Sequence, residues 1–124
     1  MLGSELASKL SSHDLLLTGR SDLDISNENA VLNFCKQNKP DTVINSAAFT
    51  NVDACETEKE VAWRVNAWGC RNLALACNTV GTRLVNISTD YVFEGDGSRP
   101  YHEFDIANGG PVSYTHLRAH ETLM

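Results

Sequence analysis

The sequence lacks the features that mark membrane proteins, secreted proteins and nucleic-acid-binding proteins. No apolar run approaches the roughly 20 residues of a membrane-spanning helix, and the start of the chain has no basic segment followed by an apolar one, as a signal peptide would. The formal net charge is −6, which argues against the basic surface of a nucleic-acid binder. The length of 124 residues allows one domain with a modest core, since domains commonly hold about 100–150 residues.

The sequence also has no Cys-x-x-Cys pair. Its four cysteines are Cys35, Cys55, Cys70 and Cys77. Cys70 and Cys77 are seven residues apart, so they share one face of a predicted helix and are interpreted as small buried apolar residues. This use of cysteine favours a reducing, cytoplasmic location, and we predict no metal site.

Apolar segments with two different periodicities alternate along the chain. Short β-branched runs predict buried strands, and apolar residues every three to four positions predict helices. The predicted elements, in order, are a helix over 1–10, a strand over 15–17, a helix over 28–38 capped by Ser26, a strand over 42–48, a long helix over 61–80 and a strand over 83–88. Thr50 and Asp53 match a capping box before the long helix, and Gly81 is a stop signal after it. Alternating strands and helices indicate an α/β fold with a parallel sheet and helical crossovers.

The last predicted strand is followed at once by a polar cluster. Leu84, Val85 and Ile87 are typical of a strand that is buried on both faces, and the residues after them are Ser88, Thr89, Asp90 and Tyr91. Ligands of open α/β sheets bind at the carboxyl ends of the strands, so this cluster is a candidate site. The alternative is a strand end capped by a Ser/Thr turn.

Several motifs in this part of the chain resemble one enzyme family. The runs are Asn-Ser-Ala-Ala-Phe-Thr-Asn-Val-Asp at 45–53, Val-Asn-Ala at 65–67, Asn-Leu-Ala at 72–74 and Ile-Ser-Thr-Asp-Tyr-Val-Phe-Glu-Gly at 87–95. They resemble the dTDP-4-dehydrorhamnose reductases of the extended short-chain dehydrogenase/reductase superfamily, over roughly residues 2–108. The resemblance implies a Rossmann-like doubly wound sheet. It also implies NADPH- or NADH-dependent reduction of the 4-keto group of dTDP-4-dehydro-L-rhamnose.

The resemblance also implies roles for individual residues. The implied cofactor-binding residues are Leu2 and Gly3 at the end of a glycine-rich turn, Asp24 and Ile25 beside the adenine, and Ala47, Ala48 and Phe49 at a strand end. Thr89 is the implied catalytic hydroxyl that hydrogen-bonds the substrate carbonyl, and Asp90 and Tyr91 are implied to contact the sugar. Asn66 corresponds to an asparagine beneath the active site, for which a structural and a catalytic role both stay open.

Cofactor choice is indicated by Gly19-Arg20 after the predicted strand 15–17. In dinucleotide-binding folds an acidic residue near this point favours NAD, whereas an arginine accommodates the 2′-phosphate of NADP. The nearest carboxylate along the chain is Asp22. We therefore predict that Arg20 contributes to a preference for NADPH, with a solvated arginine in a turn as the alternative.

Both ends of the chain depart from the family pattern. The first strand and most of the glycine-rich turn are expected to precede Leu2, and a catalytic Tyr-x-x-x-Lys is expected after Asn108. Residues 113–122 instead resemble a translated sequencing adaptor, so we interpret 1–111 as a partial dinucleotide-binding domain and 112–124 as a non-native tail. In that tail Tyr114 and Arg118 imitate the catalytic pair, and His116 and His120 imitate a metal-binding pair.

These departures leave other functions open. On this interpretation the isolated chain is an inactive fragment of a reductase whose substrate is a nucleotide sugar. One alternative is a non-catalytic NADP-binding regulatory subunit of the methionine adenosyltransferase type, and another is a fragment that folds poorly and has no function. A homodimer is left open for the whole protein, and no nucleic-acid or membrane partner is expected.

Overall fold

A two-stranded parallel sheet and the helices on one of its faces make up the core of the computed structural model, which describes residues 1–49, 54, 57–88, 93 and 95–106. The elements are α1 Leu2–Lys9, α2 Glu28–Asn38, β1 Thr42–Asn45, α3 Lys59–Trp63, a π-helical segment Arg64–Trp68, α4 Gly69–Val80 and β2 Arg83–Asn86. From α2 to β2 this order confirms the predicted α/β alternation.

Strands β1 and β2 pair in parallel, from Thr42 opposite Arg83 to Asn45 opposite Asn86. One face of the sheet carries Val43 and Leu84, which pack against a core of Val31, Cys35, Leu73 and Ala76 from α2 and α4. The carboxyl ends of both strands therefore lie at the same edge of the sheet, where a ligand site was predicted.

The opposite face of the sheet is open among the described residues. Ile44, Val85 and Ile87 are 40–43% exposed, so the prediction that these strands are buried on both faces was wrong. Side chains of a strand alternate between faces, and α2 and α4 cover only the face that carries Val43 and Leu84.

The predicted strand at Leu15–Leu17 is not a strand. Leu16 is 58% and Leu17 is 70% exposed. A strand needs hydrogen bonds to a neighbour, and in the described part of the chain the sheet consists of β1 and β2 alone. The apolar composition of this run was therefore insufficient to predict its conformation.

Helix α2 has its predicted bounds but a different cap. The Asn27 side chain accepts a hydrogen bond from the Ala30 N–H (3.1 Å), which satisfies one of the free donors of the first turn. Ser26 instead donates its N–H and O–H to Asp24. At the other end Lys39 adopts φ 44°, and Pro40 follows.

Helix α3, the π-helical segment and α4 follow one another without a break, and we call residues 59–80 the long helix. It ends at Gly81 with φ +74°, as predicted. The proposed capping residues Thr50 and Asp53 lie outside the described residues, as does Cys55. Cys35, Cys70 and Cys77 are buried, and none of the three forms a disulfide with another. Within the described ranges, no helix has both the length and the hydropathy needed to cross a membrane.

Candidate functional site

The segment after β1 is fixed by a buried asparagine of the long helix. The Asn66 side chain is 5% exposed, and it accepts a hydrogen bond from the Phe49 N–H (2.8 Å) and donates one to the Phe49 carbonyl (3.1 Å). Both ends of the amide are engaged with backbone, which favours the structural role of Asn66. Asn66 lies in the π-helical segment, a type of irregular turn often found at functional sites.

A second buried asparagine of the long helix fixes the Asp24–Ile25 segment. Asn72, six residues after Asn66 and 2% exposed, donates to the Ile25 carbonyl (2.9 Å). Ile25 also packs directly on Gly69, where an added Cβ would lie 2.6 Å from Ile25 Cδ1. The absence of a side chain at Gly69 therefore allows this segment to approach the helix closely.

The start of α1 lies beside the end of β1. A Cβ added to Gly3 would lie 3.0 Å from Ser46 Oγ, so only glycine fits this contact without displacing the serine. The first-turn N–H groups of a helix have no intrahelical acceptor. This places the free donors around Leu2 and Gly3 at the carboxyl edge of the sheet.

Asp24 is held in place by its own loop. Hydrogen bonds from the Ser26 hydroxyl (2.7 Å) and the Ser26 N–H (2.9 Å) lower the pKa of the Asp24 carboxyl, and the positive charges of Arg20 and Arg64 lower it further. Asp24 therefore stays ionised at neutral pH.

The turn that carries Arg20 is closed by Asp22. The Asp22 carboxylate accepts a hydrogen bond from the Gly19 N–H at 2.7 Å, and the Asp22 N–H donates to the Gly19 carbonyl at 3.0 Å. The carboxylate nearest to Arg20 in sequence is thus engaged within the turn, while the Arg20 side chain is exposed.

The structure brings together three of the predicted cofactor-binding segments. Gly3 lies beside Ser46, the residue before Ala47, at the edge of the sheet, and the long helix holds both Phe49 and Ile25. The predicted residues Thr89, Asp90 and Tyr91 lie outside the described residues, so the structure follows β2 only as far as Ser88.

Sequence reasoning missed an amide pair directly below this edge. The Asn45 side chain donates to the Asn86 side chain at 2.7 Å, and the Asn45 Oδ1 atom accepts from the Ala47 N–H at 3.1 Å. An asparagine at the end of each of two predicted neighbouring strands was the available signal.

The described residues of the loop beyond β2 contact one another. Phe93 stacks on Tyr101 with ring centroids 4.2 Å apart, and the Tyr101 hydroxyl accepts from the Gly95 N–H at 2.8 Å. Arg99 forms two hydrogen bonds with Asp105, which lower the pKa of that carboxyl to about 2. A hollow of about 270 Å³ is lined in part by Arg99, Tyr101 and Asp105. Among the described residues, no group of three or more His, Cys, Asp or Glu is placed to hold a metal ion.

Comparison with known proteins identifies relatives of this arrangement. Residues 1–115 match the family model described as RmlD substrate binding domain. A dTDP-4-dehydrorhamnose reductase of Streptomyces griseus is 46% identical over 105 residues, which are 83% of this chain and 34% of that protein. The chain thus spans about a third of the length of this curated relative.

Two solved structures share the fold. The dTDP-4-dehydrorhamnose reductase from Clostridium acetobutylicum superposes with a TM-score of 0.92 at 41% identity, over 98% of this chain and 44% of that one. The Bacillus anthracis reductase, solved in complex with NADP, gives a TM-score of 0.91 at 36% identity, again over 98% and 44%. These neighbours confirm the predicted Rossmann-like reductase fold.

Proposed function

The chain belongs to the RmlD substrate binding domain family, and we propose from this membership that it is the cofactor-binding part of a longer NADPH-dependent reductase. The proposed substrate is a dTDP-linked 4-keto-6-deoxy sugar, with dTDP-4-dehydro-L-rhamnose reduced to dTDP-L-rhamnose. The names of the relatives in Streptomyces griseus and Clostridium acetobutylicum support this substrate class.

One observation carries the proposal. Two buried asparagines of the long helix, Asn66 and Asn72, hold the backbones of Phe49 and Ile25. These two backbones belong to different segments that the family resemblance assigns to the cofactor. A helix that fixes both segments with fully engaged amides preorganises them, which lowers the entropy cost of binding a ligand between them.

The residues at the sheet edge fit a dinucleotide. The close approach of Gly3 to Ser46 places the first-turn N–H groups of α1, which attract anions, at the sheet edge where the proposed pyrophosphate would bind. When bound, the nicotinamide supplies a hydride, while the protein supplies orientation and a proton donor. In the proposal Ala47, Ala48 and Phe49 flank the cofactor and Asp24 and Ile25 bound its adenine.

Arg20 is the proposed determinant of NADPH preference. Asp22 is engaged with the Gly19 N–H, so it is drawn away from a ribose 2′-hydroxyl, and the exposed guanidinium of Arg20 is available to a 2′-phosphate. The test is calorimetric titration of the wild-type chain, Arg20→Asp and Arg20→Leu with NADPH and NADH.

The expected result is a lower NADPH-to-NADH affinity ratio in both Arg20 variants, and lowest in Arg20→Asp. An unchanged ratio would show that Arg20 is only a surface charge.

Thr89 is the proposed catalytic hydroxyl, with Asp90 and Tyr91 contacting the sugar. A hydroxyl that hydrogen-bonds the carbonyl stabilises the alkoxide as it develops, and losing one such donor costs about 3–4 kcal/mol, or a hundredfold or more in turnover. Thr89→Val in the longer enzyme should lose this activity with cofactor affinity unchanged. Turnover within about threefold of wild type would remove the assignment.

We also propose a cellular location, an oligomeric state and domain bounds. The burial of Cys35, Cys70 and Cys77 without a disulfide among them supports a reducing cytoplasmic location, and the whole enzyme is proposed to be a homodimer. Residues 1–111 are proposed as the partial domain and 112–124 as a non-native tail.

A further inference from the structure

Three polar side chains meet on the inner face of the sheet, directly below the edge where the site lies. Asn45 donates from Nδ2 to Asn86 Oδ1 (2.7 Å), and the Cys70 thiol donates to the same oxygen (3.3 Å). Asn45 Nδ2 also lies 3.7 Å from Cys70 Sγ. Asn45 is 5% and Cys70 is 4% exposed.

This position is one where apolar residues would be expected. Asn45 and Asn86 are opposite each other in the sheet, and Val43 and Leu84, two residues earlier on the same face, pack into the core. Burying an amide costs free energy unless its polar atoms are hydrogen-bonded. The two asparagines meet this requirement largely through each other and Cys70, so they form a connected unit.

The geometry of this unit fixes the orientation of one amide group. Asn86 Oδ1 is an acceptor, so Asn45 must present Nδ2 to it. Asn45 Oδ1 then points the other way and accepts the Ala47 N–H at 3.1 Å. Rotating the Asn45 amide by 180° would place two oxygens against each other and an NH₂ group against the Ala47 N–H.

We propose that Asn86 is a positioning residue that acts through Asn45 to hold the Ala47 N–H, and thereby fixes the direction in which the chain leaves β1. The segment after β1 then has two anchors, Asn45 at Ala47 and Asn66 at Phe49. We call the hydrogen bonds from Asn86 through Asn45 to Ala47 the relay. The importance of these anchors for a bound dinucleotide rests on the proposed function, but the relay does not.

Hydrogen exchange of the Ala47 N–H in the folded 124-residue chain tests the relay. Ala47 is exposed, so its N–H owes its protection to the bond with Asn45. Asn86→Leu removes the acceptor and should accelerate exchange at Ala47 by about five- to tenfold, the factor that corresponds to one net hydrogen bond. Asn86→Asp keeps the acceptor oxygen and should leave exchange within about twofold of wild type.

Leu84→Ala is the matched control, since it weakens the same strand on the same face without touching the relay. It should lower global stability and leave exchange at Ala47 unchanged. Equal acceleration in Leu84→Ala and Asn86→Leu, or no acceleration in Asn86→Leu, would overturn the proposal. The exchange experiment is done without cofactor, so its outcome is independent of the proposed function.

A second measurement needs no variant and decides the matter if Asn86→Leu does not fold. Scalar couplings across hydrogen bonds in the wild-type chain should link Asn45 Nδ2 to the side-chain carbonyl carbon of Asn86. They should also link the backbone nitrogen of Ala47 to the side-chain carbonyl carbon of Asn45. Detection of both couplings supports the relay, and absence of either overturns it.

Discussion

Replacing Asn66 by alanine should weaken the fold more than its small change in volume suggests. The Asn66 side chain makes two hydrogen bonds with the Phe49 backbone, at 2.8 and 3.1 Å, and alanine makes neither. Each bond contributes about 1 kcal/mol net. Phe49 is half-buried, so water reaches its freed N–H and carbonyl groups in part, and the larger penalty for fully unsatisfied groups does not apply.

The net effect also includes helix propensity. Alanine is favoured over asparagine in a helix by about 0.5 kcal/mol, which offsets part of the roughly 2 kcal/mol from the two bonds, while the cavity left beside Phe49 adds a further loss. We therefore expect a net destabilisation of about 2 kcal/mol. With a urea dependence of about 1–3 kcal/mol per molar, the midpoint of unfolding should fall by about 1 M.

The assay is urea unfolding followed by tryptophan fluorescence, since Trp63 and Trp68 lie on either side of Asn66 in the long helix. The matched control is Asn78→Ala, an exposed asparagine of the same helix, which should gain the propensity term and lose no buried bond. If the midpoints of Asn66→Ala and Asn78→Ala agree within about 0.3 M, the two hydrogen bonds contribute nothing and the reasoning fails.

Three further predictions concern other parts of the chain. Gly69→Ala should lower the free energy of unfolding, measured in urea, by about 1 kcal/mol. The clash with Ile25 costs about 1–3 kcal/mol, whereas alanine gains about 1 kcal/mol in helix propensity. A more stable variant would show that Ile25 moves aside freely. Burial, reinforced by the neighbouring Cys35, raises the pKa of Cys77 to about 11 from 9.0. The stabilising contribution of the neutral thiol should therefore be complete below pH 9 and be lost as the pH rises through 11. In urea unfolding, Cys77→Ala should show a smaller decline in stability between the same pH values. Deleting residues 112–124 should leave the urea midpoint unchanged, and a loss above about 0.5 kcal/mol, the usual range for neutral surface changes, would contradict a non-native tail.

The open face of the sheet shows where prediction from sequence failed. Ile44, Val85 and Leu17 are apolar enough to predict burial, and all three are at least 40% exposed in the described structure. The apolar pattern of a segment indicates that it needs a packing partner, but it does not show whether that partner is present. The same limit explains Leu15–Leu17, which has strand composition but no strand beside it among the described residues.

The cap of α2 is a smaller failure with a local cause. Ser26 and Asn27 are both good capping residues, and the sequence alone does not rank them. Asp24 decides between them, because it accepts both hydrogen bonds that Ser26 donates and leaves Asn27 to cap the helix. Such a competition becomes visible only once the loop conformation is known.

By itself the sequence determined the α/β alternation, the bounds of α2, the end of the long helix at Gly81 and the family, because these depend on local periodicity, on backbone preference and on contiguous motifs. Only the tertiary structure decided that Asn66 and Asn72 hold the backbones of Phe49 and Ile25, that Gly69 admits Ile25, and that Asn45 hydrogen-bonds Asn86. Each of these contacts joins residues at least 17 positions apart, and a hydrogen bond or a close approach between distant residues depends on how helices and strands pack, which no local pattern encodes.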